Sequence, residues 1–61
     1  MSYELIVMSP EGYRLGHAFT KSLSYARQKA ANILLDYPRC ICRIYSYRTL
    51  NADPVLVEVI R

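Results

Sequence analysis

Sixty-one residues, 52% hydrophobic and 21% charged, make one small folded domain over residues 1–61 and exclude a disordered chain. A chain of this size buries only about 60% of its unfolded surface, so it gains from a staple or a partner. The net charge of +3, carried by eight basic residues spread along the chain, permits an anionic partner but supplies no basic tail.

The start, "MSYELIVMSPEG", has no basic stretch ahead of its apolar residues and no cleavage site, so no secretory leader is expected. Nothing approaches the roughly 20 apolar residues of a membrane span. The expected location is therefore cytoplasmic, with no membrane contact and with reduced cysteines.

Residues 3–8, "YELIVM", are rich in β-formers and predict a strand. Ser9-Pro10-Glu11-Gly12 predicts the turn of a hairpin. Pro10 presets φ at its second position, and Gly12 supplies a left-handed residue. Residues 13–19, "YRLGHAF", alternate and predict the return strand. Tyr13, Leu15, His17 and Phe19 are expected on the core side, opposite Arg14, Gly16 and Ala18. Gly16 weakens this strand or marks a bulge.

Residues 20–38, "TKSLSYARQKAANILLDYP", predict a helix capped by Thr20 or Ser22 and stopped by Pro38. At about 100° per residue, Leu23, Ala26, Ala30, Ile33, Leu34 and Tyr37 form one stripe. The alanines suggest close packing on a sheet. Arg27 breaks the stripe. It is expected to lay its stem on the sheet edge, the alternatives being an anion site or a buried pair with Glu11 or Asp36.

Residues 40–48, "CICRIYSYR", predict a third strand, "TLNAD" a loop, and residues 54–61, "PVLVEVIR", a fourth strand. The order ββαββ predicts an α+β fold, one four-stranded antiparallel sheet with the helix across one face. A helical crossover from the second strand to the third over the first gives the spatial order 2-1-3-4. This shape resembles that of small bacterial and phage proteins that act by binding, among them regulatory ones. The likeness is one of fold alone.

The stretch "PRCICRIYSYR" holds two cysteines, three arginines and two tyrosines. A structural zinc site wants four ligands, and the sequence offers these thiols and His17, so no metal is expected. Cys40 and Cys42 read as small buried apolar residues, expected with Ile44 beneath the helix beside Val55, Val57 and Val59. His17 has no nucleophile or orienting acid at a defensible spacing, and no glycine-rich phosphate loop is present. No enzymatic activity, catalytic residue or cofactor is expected.

The opposite sheet face is expected to carry Glu4, Ile6, Met8, Ile41, Arg43, Tyr45, Tyr47, Leu56, Glu58 and Ile60. A monomer seldom leaves such a patch wet, so a homodimer or another protein should cover it. The expected interface residues are Ile41, Arg43, Tyr45, Tyr47, Leu56 and Ile60, since tyrosine and arginine are enriched at interface hot spots. The sequence therefore reads as a non-enzymatic protein-binding or adaptor module that self-associates through its open face. The alternative is a small nucleic-acid-binding protein that stacks bases on Tyr45 and Tyr47 beside Arg43 and Arg48. Glu4 and Glu58 on the same face count against it.

Overall fold

Four strands and one helix account for the regular structure of the described residues: β1 (Ser2–Met8), β2 (Arg14–Thr20), α1 (Leu23–Asp36), β3 (Ile41–Tyr47) and β4 (Val55–Ile60). The computed structural model describes residues 1–49 and 51–61; the part of the expected 49–53 loop that falls on Leu50 lies outside them. The strands form one antiparallel sheet in the order β2-β1-β3-β4, as the sequence predicts.

The first hairpin turns as its residues dictate. Gly12 adopts φ +95° and donates its N–H to the Ser9 carbonyl at 3.0 Å. The buried Ser9 hydroxyl accepts the Tyr13 N–H at 2.9 Å, which ties the turn to the return strand. Gly12→Ala should therefore cost about 1 kcal/mol or more, because an alanine is strained at positive φ. Gly16 has ordinary φ, and open space lies where a Cβ would stand. Gly16→Ala should stabilise by about 0.4–1 kcal/mol through the unfolded chain. Urea midpoints of the two variants should move in opposite directions.

The helix begins at Ser22, whose hydroxyl accepts the Tyr25 N–H at 3.1 Å. It ends at Tyr37, which leaves helical geometry (φ −131°, ψ 71°) ahead of Pro38, with its N–H still on the Ile33 carbonyl at 2.8 Å. Ala26 and Ala30 are buried, and Leu23, Ile33 and Leu34 pack beside them. The alanines let the helix approach β1 and β3, which it contacts more than the edge strands. Tyr37 was expected in the buried stripe but is 63% exposed. It caps the helix in a non-helical conformation, so its side chain leaves the stripe.

The core beneath the helix is small: Leu5, Ala26, Ala30, Cys42 and Ile44. Burying Ile44 or Leu5 contributes about 1.5–3 kcal/mol each. The expectation for the cysteines holds in its placement. Both are buried and unbridged, and burial first, then the neighbouring Cys40 thiol, pushes the Cys42 thiol up. A thiol held protonated is a poor nucleophile and a poor metal ligand.

The central strands pair without interruption, from Ser2 opposite Tyr47 to Met8 opposite Ile41. Both edge strands carry a bulge. In β2, Gly16 faces Val7 and Arg14 faces Met8, so Leu15 is the extra residue. In β4, Glu58 faces Ile44 and Leu56 faces Tyr45, so Val57 is the extra residue. Each bulge reverses which face the following side chains occupy, because strand side chains alternate with period two.

Three expectations are thereby corrected. Ile60 faces Cys42 and packs on the core, and Glu58 lies on the helix side. Val59 faces Arg43 on the open side, and Val55, though level with Ser46 on the helix side, is well exposed beyond the helix. His17 faces Ile6 on the open side and not the core, and Phe19, opposite Glu4, goes with it. Small residues, Gly16, Ala18 and Thr20, take the helix side of β2.

Glu58 on the helix side explains Arg27. Its Nε donates to Glu58 Oε1 at 2.8 Å, in place of the expected partners Glu11 or Asp36. The pair is largely solvated, so it contributes about 0.2–1 kcal/mol at most.

Candidate functional site

The face opposite the helix is where the unused chemistry gathers. β3 supplies Ile41, Arg43, Tyr45 and Tyr47, and β1 supplies Glu4, Ile6 and Met8. Leu56 and Val59 come from β4, and Arg14, His17 and Phe19 from β2. Phe19 is 64% exposed and Leu56 49%, while Ile6, Met8, Ile41 and Tyr45 are half-buried among their neighbours.

Five of the six expected interface residues thus share this face: Ile41, Arg43, Tyr45, Tyr47 and Leu56. Ile60 is not among them. Of the residues considered for nucleic acid, Arg43, Tyr45 and Tyr47 lie on the face, and Arg48 follows at the end of β3. The reading from sequence omits Phe19, His17, Arg14 and Val59. The bulges bring Phe19, His17 and Val59 to this face, while Arg14, ahead of the β2 bulge, keeps the side away from the core that alternation gives it.

A polar cluster sits within this apolar surface. Glu4 is only 6% exposed although it points away from the core. Its Oε1 accepts the Tyr47 hydroxyl at 2.6 Å, and its Oε2 faces Arg14 Nη2 at 3.4 Å. Arg14 Nη2 also donates to His17 Nδ1, which places the ring proton on Nε2. The His17 ring meets Phe19 edge-on at 5.7 Å, and Phe19 leans on Tyr47 at 6.2 Å. A buried carboxylate is tolerated only with such partners. Its engaged oxygens make it an anchor for Tyr47 and a poor general base.

The hydrogen bond to Glu4, with burial and the carboxylate charge behind it, raises the Tyr47 phenol above its ordinary value of about 10. A raised phenol pKa means that the folded state holds the proton more tightly. The stability from this bond is therefore complete below about pH 10 and is lost as pH rises through the folded-state value. Urea midpoints measured from pH 8 upward should show a constant gap between the wild type and Tyr47→Phe that closes only above about pH 10.

Among the described residues, no group of three or more His, Cys, Asp or Glu side chains is placed to hold a metal ion, and no helix is long and apolar enough to cross a membrane. Comparison with protein-family models, curated proteins and solved structures finds no match.

Proposed function

We propose that this chain is a non-catalytic binding module that self-associates through its open sheet face. The observation behind the reading is an apolar face left uncovered: Leu56 and Val59 exposed beside Ile6, Met8, Ile41 and Tyr45. A second copy is the simplest cover, because two-fold dimers dominate among oligomers. Bulges on both edge strands favour face-to-face packing over edge pairing, since a bulge spoils the flat edge that a new strand needs. Arg43 and Tyr45 sit toward the middle of the face, where anchors of an interface belong. The test is solution mass by light scattering at two protein concentrations and two salt levels. Two chains support the reading. A single chain at every concentration removes it, and the face then serves a different partner.

One observation favours a second reading, single-stranded nucleic acid. With Glu58 on the helix side and Glu4 held by Tyr47 and Arg14, the face presents no free carboxylate among the described residues. Phe19 joins Tyr45 and Tyr47 as a possible stacking ring, with Arg43 and Arg48 nearby. Oligonucleotide binding that weakens steeply with salt supports it. No binding at low salt removes it.

A further inference from the structure

The ends of β2 and β3 and the start of β1 meet at one end of the sheet, around a concavity of about 650 Å³. Phe19 and Tyr47 line it, with Lys21 and Arg48, each just past the end of a strand, and the hydroxyl-bearing Thr20 and Thr49. We infer that this concavity is a nucleotide-binding site, with the base on Phe19 and the phosphate between Lys21 and Arg48. This goes beyond self-association, because the concavity lies at the rim of the open face and not at its centre.

The volume falls in the range of small-molecule sites, roughly 300–1,000 Å³, and three features of the lining select this ligand class. First, no carboxylate lines the concavity, and neither Lys21 nor Arg48 forms an ion pair among the described residues. The nearby acid, Glu4, is turned to Tyr47 and Arg14. Two cations lining one concavity without a counter-charge suit an anion, and arginine can grip a phosphate through two parallel hydrogen bonds. Second, the ring surface is both available and held. Phe19 is mostly exposed, while Tyr47 is anchored through its hydroxyl and by contact with Phe19. An aromatic base gains from stacking on such a platform. Third, Thr20 Oγ1 accepts the Ser22 N–H at 3.2 Å, which leaves its own O–H to donate to a phosphate or sugar oxygen. An aliphatic anion would waste the rings, and a neutral aromatic molecule would waste the cations.

The same chemistry comes from a free mononucleotide or from one nucleotide of a single strand. The full chain, labelled with nitrogen-15, is titrated with AMP, adenosine, inorganic phosphate and a short single-stranded deoxyadenosine oligonucleotide. Amide shifts are followed for the wild type, Lys21→Ala/Arg48→Ala and Phe19→Ala. The substituted residues are exposed, so the variants should keep the fold, which their spectra report directly. AMP or the oligonucleotide should saturate shifts at Phe19, Lys21 and Arg48. Adenosine and phosphate should bind at least about tenfold more weakly, as should AMP to either variant. Tighter binding of the oligonucleotide assigns the site to a strand; equal or tighter binding of AMP assigns it to the free nucleotide. The inference is overturned if neither saturates at millimolar concentration, if phosphate matches AMP, or if the double variant binds undiminished. Mass is measured on the same samples. A monomer that binds AMP removes only the self-association reading, and a dimer that does not bind removes only this one.

Discussion

If the open face joins two copies, Leu56→Glu should convert the dimer into a folded, soluble monomer. Leu56 is 49% exposed and faces Tyr45 across the open side of β4, so the free monomer loses little by the change. Surface substitutions of this kind usually stay within about 0.5 kcal/mol. The dimer pays twice, because two-fold symmetry brings two new carboxylates into one apolar interface. Each unpaired charge taken from water costs several kcal/mol, enough to weaken association by about a hundredfold or more. Tyr45 is the more central residue but the poorer choice for a charge. It stands directly opposite Glu4, and a second carboxylate there would destabilise the fold itself. Lys29→Glu, on the exposed face of the helix, should leave the mass unchanged. Light scattering and far-UV circular dichroism report both results. A folded Leu56→Glu protein that remains dimeric at the same concentration would show that the copies meet elsewhere.

The strand count, the sheet order, the Ser22 cap and the burial of both cysteines were legible because the central strands and the helix obey simple periods. The cross-strand pairs of β1 with β3 run without a break, so alternation along each strand translates directly into faces. In both edge strands a bulge reverses the parity that simple alternation predicts. "VLVEVI" carries apolar residues on both alternations, so its pattern does not pin a register, and the extra residue Val57 reverses the parity midway. In β2 the larger side chains were assigned to the core, whereas the helix, close on Ala26 and Ala30, leaves only small residues beneath it on that side. One signal was present for β4. Arg27 beside the apolar stripe pointed to a carboxylate on the helix side of the sheet, and Glu58 is the one it meets. Gly16 was likewise a correct pointer to a bulge, which falls on the adjoining Leu15. The candidate face was therefore recognised through β1 and β3, while Phe19 and His17 of β2 were hidden.

Ile44→Ala tests how far folding and association share one source of stability. Ile44 is fully buried at the centre of a five-residue core, and an isoleucine-to-alanine change at such a site costs about 2–5 kcal/mol. At about 0.05–0.15 kcal/mol per residue, a chain of this length holds roughly 3–9 kcal/mol in all. The variant should therefore be largely unfolded when dilute. Binding between folded copies opposes unfolding by mass action, so a dimer that covers the open face makes the thermal midpoint rise with protein concentration. Ile44→Ala should recover structure at high concentration, and the wild type should show the same trend from a higher baseline. Leu56→Glu, which keeps the core but removes the interface, should have a midpoint independent of concentration. If all three proteins melt independently of concentration, the folded domain stands alone and its open face contributes nothing to stability through a second copy. If the wild type and Ile44→Ala depend on concentration while Leu56→Glu does not, the same face that the bulged edge strands leave open is what completes the fold.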